Sequence, residues 1–125
     1  MPTVLIVDDE AMVRNVVRQA PSKEGYTVLD ATGASEVAAL CQSLGDQQID
    51  LLIIDHGLAP DKGRVVAESV VKLCPTVKVL IISGWTFETV QDEDGLLPGS
   101  TFLQKPFTPH QLLSVVQSIL FPSTQ

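Results

Sequence analysis

Short apolar segments recur along the chain and alternate with longer segments of mixed character. Three of them are continuous runs rich in Val, Ile and Leu, as expected of strands that are buried on both faces of a parallel sheet. These runs are Thr3 to Val7, Asp50 to Asp55 and Lys78 to Ser83. Two weaker strands are predicted at Thr27 to Ala31 and at Thr101 to Gln104.

The segments between these strands carry apolar residues at helical spacing. Four helices are predicted, and their residues at helical spacing, apolar except for Ser69, are Met12, Val13, Val16, Val17 and Ala20; Val37, Leu40, Cys41 and Leu44; Val65, Val66, Ser69, Val70 and Leu73; and Leu112, Leu113, Val116, Ile119 and Leu120. A further helix within Phe87 to Leu97 is expected to be short or mobile, because this stretch holds four acidic residues and a glycine. Pro21 is expected to end or kink the first helix near Ala20, since proline lacks the amide hydrogen.

Strands that alternate with helices predict an α/β fold built from successive βαβ units. The expected architecture is a single doubly wound sheet of five parallel strands between two layers of helices. A length of 125 residues suits one domain, over residues 1–125, and no repeat or linker interrupts it.

Composition narrows the function classes. Eight Lys and Arg against fifteen Asp and Glu give a net charge of −7, which argues against direct nucleic-acid binding and is compatible with a bound divalent cation. The apolar runs fall far short of the ~20 residues of a membrane span. Two cysteines are too few for a disulfide framework, so a reducing cytoplasmic setting is predicted.

Polar residues stand at the carboxyl ends of four predicted strands, where open α/β sheets bind ligands. They are Asp8 and Asp9, Asp55, Ser83 and Lys105. Clustered carboxylates need a cation or protons among them, and hard oxygen ligands suit Mg²⁺. An ammonium and a hydroxyl beside such an ion can hold a phosphoryl group, and a carboxylate can become an aspartyl phosphate. These residues predict Mg²⁺-assisted phosphoryl chemistry without saying which carboxylate is attacked.

Each feature has an ordinary structural interpretation when taken alone. Asp8-Asp9-Glu10 could cap the first helix, Asp55 and Ser83-Gly84 could be turn residues, and Lys105-Pro106 could simply leave a strand. Their combined placement at the same edge of the sheet is what favours a site.

Four motifs make the sequence similar, over essentially the whole chain, to the receiver domain of bacterial two-component response regulators. They are VDDE at 7–10, DLLIID at 50–55, ISG at 82–84 and FLQKPF at 102–107. The resemblance implies a flavodoxin-like three-layer sandwich with strand order 2-1-3-4-5. It also implies Mg²⁺ as cofactor.

The resemblance assigns a role to each motif residue. Asp55 would be the phosphoacceptor, with Asp9 binding Mg²⁺ directly, Asp8 mainly through water, and Gly57 through its backbone carbonyl. Ser83 and Lys105 would hold the phosphoryl oxygens. Ser83 and Phe102 would form the conformational switch, although Phe102 could also be an ordinary core residue. The Lys105–Pro106 peptide bond would be cis.

Several positions depart from the family pattern. The usual Met-Pro after the acceptor is Leu58-Ala59, with proline at Pro60, so that loop is expected to take a different path. Gly57 offers no side chain that could orient a hydrolytic water, and Trp85 is bulky where the family often has a polar residue. We therefore hypothesise a long-lived phosphoryl group. Trp85 could instead contact a partner or sit as a solvated turn residue.

Other reactive side chains are expected to be structural. His56 is assigned no catalytic role, because the side chain next to the acceptor in sequence usually points elsewhere. Cys41 and Cys74 are expected to be small buried hydrophobic residues.

The predicted function is a signalling receiver that takes a phosphoryl group onto Asp55 from a histidine kinase or a histidine phosphotransfer protein. Its only catalysis would be Mg²⁺-dependent self-phosphorylation and autodephosphorylation. The signal would leave by protein contact near strand four, strand five and the last helix, from a monomer or a weak phosphorylation-dependent dimer. The stretch PGSTFLQKPFTPHQLL is similar to receivers of hybrid histidine kinases, so the chain could be a stand-alone regulator or part of such a kinase.

Other functions compete with this prediction. The main alternative is a phosphorylation-independent interaction module of the same fold. A small phosphatase-type enzyme would need a substrate pocket, and a flavin binder would need a phosphate-cradling loop after strand one, which the sequence does not have there.

Overall fold

The computed structural model describes residues 2–44, 48–57, 63–93 and 97–122. Strands and helices alternate through these residues. The strands are β1 (Thr3–Val7), β2 (Thr27–Ala31), β3 (Leu51–Asp55), β4 (Lys78–Ser83) and β5 (Thr101–Gln104). The helices are α1 (Ala11–Lys23), α2 (Ala34–Leu44), α3 (Gly63–Leu73), α4 (Phe87–Glu93) and α5 (Pro109–Leu120). The predicted α/β fold is confirmed.

The strands form one parallel sheet in the order β2-β1-β3-β4-β5, as expected. The strand order reverses next to β1, because β2 lies on one side of β1 and β3 lies on the other. Strands β1 and β3 are neighbours, with Val7 opposite Ile54. The residues that follow these two strands therefore emerge side by side at the carboxyl edge. This is the crevice in which doubly wound sheets bind ligands.

Two separate apolar layers explain the continuous hydrophobic runs in β1 and β3. Leu5 and Leu52 belong to the layer beneath α2 and α3, whereas Val4 and Leu51 belong to the layer beneath α1 and α5. Successive residues of a strand point to opposite faces, so a strand covered on both sides must be apolar at every position. The sheet thus has no solvent-facing side along its central strands.

Helix α1 corrects one expectation, because it continues through Pro21 to Lys23. Pro21 lies in the last turn, where it removes only one intrahelical hydrogen bond. Its ring is buried, and its carbonyl accepts from the amides of Glu24 and Tyr26 at 3.1 and 3.2 Å. Burial and these end-of-helix bonds offset the lost donor, so the helix does not stop at Ala20.

The helices are short. Helix α4 has only 7 residues, as the sequence predicted, and α1 is the longest of those described with 13. Within the described part of the chain, no helix combines the length and the apolar character that crossing a membrane requires.

Candidate functional site

Three carboxylates converge at the carboxyl edge of the sheet. Asp8 and Asp9 follow β1, and Asp55 ends β3. One carboxylate oxygen from each lies within 4.8 Å of the others. Asp8 is buried, Asp9 is exposed and Asp55 is half-buried, so the cluster opens toward solvent on one side. The structure brings together the three residues that the sequence proposed as neighbours.

Asp8 is the buried member of this cluster, with a relative exposure of 1%. Its Oδ1 accepts a hydrogen bond from the Glu10 amide at 2.9 Å, whereas its Oδ2 is buried with no hydrogen-bond partner. Burial raises the pKa of Asp8 above its ordinary value of 3.8, and the Asp55 charge adds to the rise, against the Glu10 hydrogen bond and the Lys105 charge. A buried carboxylate oxygen without a donor is poised to meet a cation.

Lys105 brings a positive charge to this cluster of carboxylates. Its Nζ donates to Asp55 Oδ1 at 3.0 Å and lies 3.9 Å from Asp8 Oδ2. The backbone of Lys105 is fixed as well, because its amide donates to the Ser83 carbonyl at 2.7 Å. The Lys105–Pro106 peptide bond is cis, as expected.

The segment that follows Lys105 is anchored by the start of α5. Thr108 caps this helix: its Oγ1 accepts from the Gln111 amide at 3.0 Å, and Gln111 Oε1 accepts from the Thr108 amide at 2.8 Å. Such a capping box satisfies two amides that the first helical turn leaves unpaired. Lys105 therefore extends from a short segment held at both ends.

Ser83 ends β4, which pairs with β3, the strand that Asp55 ends. The amide of His56, the residue after Asp55, donates to the carbonyl of Ile82 at 2.9 Å. The Ser83 side chain is buried, and its Oγ accepts from the Trp85 amide at 3.0 Å. In this arrangement the hydroxyl is engaged with its own loop, and its proton remains available to a new acceptor.

Two aromatic pairs flank the site. The rings of His56 and Trp85 lie 5.6 Å apart at an interplanar angle of 57°, so the His56 side chain packs toward the β4–α4 loop. Phe102, on β5, is partly buried against the core layer and meets Phe87 edge to face, at 5.7 Å and 78°. Trp85 is 50% exposed, which leaves both alternatives for it, a partner contact or a solvated turn residue, in place.

Two glycines shape the backbone around Asp55. A Cβ at Gly57 would lie 3.6 Å from Asp55 Oδ2, so Gly57 sits next to the Asp55 carboxylate. A Cβ at Gly63 would lie 2.3 Å from the Asp55 carbonyl oxygen. Helix α3 can therefore begin against the end of β3 only with glycine at this position. Leu58, Ala59 and Pro60, for which a different path was expected, lie outside the described residues.

The donor set fits a hard divalent cation. Three carboxylates and one ammonium leave two net negative charges at the cluster. One carboxylate oxygen is buried without a donor, and Asp9 keeps the cluster open to water. Mg²⁺ prefers oxygen ligands and keeps several waters. The residues present match these requirements.

Comparison with known proteins decides the family. The family model described as response regulator receiver domain matches residues 4–117. The chain belongs to this family. Receiver domains of two-component response regulators are phosphorylated on an aspartate, bind Mg²⁺ at an acidic pocket and interact with histidine kinases. The family predicted from the four sequence motifs is thus confirmed.

Individual relatives agree with this family. The chain is 30% identical over 121 residues to the sensor kinase CckA of Brucella abortus, covering 94% of this chain and 12% of that protein. It is 28% identical over 119 residues to the aerobic respiration control protein ArcA of Escherichia coli, covering 95% of this chain and 48% of that protein. The receiver domain thus spans half or less of the length of these curated relatives.

A solved structure shows the same fold. The chemotaxis response regulator CheY4 of Vibrio cholerae superposes with a TM-score of 0.82 at 26% identity, covering 96% of this chain and 99% of that one. The strand order 2-1-3-4-5 is the order expected of this fold, and the flavodoxin-like architecture is confirmed.

Two residues at the site were missed by sequence reasoning. Arg14, on α1, donates from Nη1 to the Asp8 carbonyl at 2.8 Å and so holds the segment that carries the buried carboxylate. Phe87 packs on the predicted switch residue. Arg14 could have been suspected from its place one turn into α1. Nothing in the sequence pairs Phe87 with Phe102, which lies on another element.

Proposed function

We propose that Asp55 is the phosphoacceptor of this receiver domain. The observation that carries the proposal is the position of its carboxylate between Lys105, at 3.0 Å, and the Asp8–Asp9 pair. Asp8 is too buried to meet a donor, since one oxygen is engaged by Glu10 and the other is enclosed. Asp55 retains 14% side-chain exposure, enough for an incoming phosphorus atom to reach it.

The proposed reaction is transfer from a phosphohistidine. A carboxylate oxygen of Asp55 attacks phosphorus, an O–P bond forms, and the N–P bond breaks with its electron pair going to the imidazole nitrogen. That nitrogen then takes a proton from solvent. Lys105 and Ser83 hold the phosphoryl oxygens by donating hydrogen bonds where charge develops.

The metal would be held by the carboxylates of Asp8, Asp9 and Asp55 and by the backbone carbonyl of Gly57. When bound, Mg²⁺ supplies charge neutralisation between acceptor and phosphoryl oxygens. The chain's own part is to hold the carboxylates of Asp8 and Asp9 beside Asp55 and to orient the Lys105 ammonium toward Asp55. Arg14 fixes the backbone from which Asp8 projects.

The switch is proposed to involve Ser83 and Phe102. Ser83 Oγ accepts a hydrogen bond from the Trp85 amide, which lies in the β4–α4 loop. If Ser83 Oγ moved to donate to a phosphoryl oxygen, it would therefore pull this loop with it. Phe87, at the start of α4, contacts Phe102, so a shift of this loop changes the packing of the Phe102 ring. The output surface would then lie over α4, β5 and α5.

Gly57 and Trp85 support the hypothesis of a long-lived phosphoryl group. Gly57 lies beside the Asp55 carboxylate without a side chain to position water. Trp85 packs against His56 and offers no charged group. A decay of the adduct within seconds, with no phosphatase present, would contradict this hypothesis.

An apolar surface next to the site suits a protein donor. Met12, Val16 and Phe107 line a groove of about 350 Å³ that ends at Lys105. Because one wall of this groove is the site lysine, a donor that docks there would bring its phosphohistidine near Asp55. A histidine kinase or a histidine phosphotransfer protein is the proposed partner, and one receiver domain over residues 1–125 in the cytoplasm is the proposed setting.

Intact mass after incubation with acetyl phosphate tests the proposal. Wild type with Mg²⁺ is expected to gain one phosphoryl group, and both Asp55→Asn and wild type in EDTA are expected to gain none. Asp50→Asn is the matched control, since Asp50 precedes the same strand at its opposite end, where its side chain accepts from the Thr3 amide. Folded wild type that neither gains the adduct nor binds Mg²⁺ would favour the phosphorylation-independent interaction module instead.

A further inference from the structure

An aromatic contact links the segment after Asp55 to the loop after Ser83. His56 directly follows Asp55, and Trp85 lies two residues after Ser83. The two rings are 5.6 Å apart, a separation typical of favourable aromatic pairs. We call this contact the His56–Trp85 pair. It joins the two segments that hold the proposed phosphoacceptor and the hydroxyl of the proposed switch.

His56 is the fixed member of the pair. It is 6% exposed, so its ring is held in the protein interior. Its amide donates to the Ile82 carbonyl at 2.9 Å, and its carbonyl accepts from the Gly63 amide at 3.2 Å. The first bond ties His56 to β4, and the second ties it to the start of α3. Because both its backbone and its side chain are held, His56 is expected to stay in place when the neighbouring loop moves.

Trp85 is the less restrained member of the pair. It is 50% exposed and lies in the loop between β4 and α4. Its amide donates to Ser83 Oγ at 3.0 Å. A Cβ on the intervening Gly84 would meet nothing within 4 Å, so the loop has open space beside it. The ring contact with His56 and the bond to Ser83 Oγ therefore hold Trp85 from two sides.

We propose that His56 and Trp85 are a positioning pair, which holds the Ser83 hydroxyl in its hydrogen bond with the β4–α4 loop until a phosphoryl group arrives. This inference rests on the proposed function and adds two residues to it. In the proposed switch, Ser83 Oγ moves toward the phosphoryl group and takes the Trp85 amide with it. Since His56 stays in place, the two rings separate during this movement.

The ring contact therefore favours the unphosphorylated state. An interaction made in only one of two states raises the population of that state and weakens the apparent affinity for a ligand that requires the other. The strength of an aromatic pair corresponds to a change of about 2- to 10-fold in such an equilibrium. The pair thus opposes the switch without touching the phosphoryl group.

Fluorescence tests the proposal on the folded full chain, with Mg²⁺ and with beryllium trifluoride as an analogue of the phosphoryl group. The chain has one tryptophan, so the emission reports Trp85 alone. In wild type, saturation with beryllium trifluoride is expected to shift this emission to longer wavelength, because the indole leaves His56 for solvent. In His56→Ala the emission is expected to start at the longer wavelength and to change little on binding.

Isothermal titration calorimetry measures the affinity of variants that lack either ring. Trp85→Ala and His56→Ala are each expected to bind beryllium trifluoride about 2- to 10-fold more tightly than wild type. The double variant should bind no more tightly than either single variant, since both substitutions remove the same contact. Trp85→Phe keeps a ring and should bind like wild type. Phe121→Ala is the control, because Phe121 is exposed and lies after the end of α5.

Several results would overturn this inference alone. They are a Trp85 emission that does not shift on binding, additive effects of the two alanine substitutions, and a Trp85→Ala affinity equal to or weaker than that of wild type. Because Trp85 is exposed, its variant decides the matter even if His56→Ala does not fold. A folded wild type that binds no beryllium trifluoride in Mg²⁺ would instead refute the proposed function, and this inference with it.

Discussion

From the buried carboxylate of Asp8 we predict that a substitution at a site residue raises the stability of the protein instead of lowering it. In Asp8→Asn the amide oxygen can keep the hydrogen bond from the Glu10 amide, which wild type makes at 2.9 Å. The substitution removes the charge on the buried oxygen that has no hydrogen-bond partner. We expect the variant to be more stable than wild type in EDTA at neutral pH.

The size of the effect follows from the surroundings of Asp8. An unsatisfied buried polar group costs about 1–3 kcal/mol, more when charged. The Asp55 charge weighs more on the pKa of Asp8 than the opposing Lys105 charge, so the nearby lysine does not cancel the cost of burial. A gain of about 1–2 kcal/mol corresponds to a rise in melting temperature of about 4–8 °C for a domain of this size.

The pH dependence has a definite sign. Because the pKa of Asp8 is raised above 3.8 in the folded protein, the folded protein binds the Asp8 proton more tightly than the unfolded chain does. The stability from this proton is present at low pH and is lost as pH rises through the folded pKa. Asp8→Asn lacks this loss, so the stability difference between variant and wild type should grow from pH 3.8 upward until the folded pKa is passed.

Thermal unfolding by circular dichroism measures the prediction in EDTA and in Mg²⁺. A ligand that binds only the folded protein at tenfold over its Kd adds about 1.4 kcal/mol, so wild type should gain from Mg²⁺ and Asp8→Asn should not. Glu24→Gln controls for net charge, since Glu24 is exposed and lies outside the cluster. An Asp8→Asn variant less stable than wild type in EDTA would refute the reasoning.

Three further substitutions probe the site and its support. Gly63→Ala forces a Cβ to 2.3 Å from the Asp55 carbonyl oxygen, and we expect chemical denaturation to show a loss of about 2–3 kcal/mol, with weaker Mg²⁺ binding. Lys105→Gln removes the ammonium 3.0 Å from Asp55, and the rate of labelling by acetyl phosphate should fall on the order of 10²-fold. Phe87→Ala removes the edge contact to Phe102, at a cost of about 0.5–1.5 kcal/mol.

Each of these substitutions has a matched control in the chain. Gly33→Ala meets nothing within 4 Å and has an ordinary φ, so equal losses at both glycines would contradict the clash. Lys78→Gln removes an exposed charge at the far end of β4 and should leave labelling unchanged. Phe121, 61% exposed, is the control for Phe87, and an equal loss of stability from both would argue against a specific ring contact.

The sequence by itself determined the strands, their layering and the polar residues at their ends. Runs such as LLII in β3 are apolar at every position, because both faces of the sheet are covered. Such a run can end at Asp55 only where the strand leaves the core. The local pattern thus carried the strand, its burial and its polar end together, and the four motifs sufficed to identify the family.

Only the tertiary structure decided which side chains meet. Pro21 shows why local rules fail: its penalty was offset by burial and by bonds to its carbonyl, which depend on what α1 packs against. The Phe87–Phe102 pair and the Arg14 bond to Asp8 each join separate turns or elements. Spacing along the chain encodes only neighbours on one element. Contacts between elements depend on how the helices pack against the twisted sheet, and this packing geometry cannot be read from a single sequence.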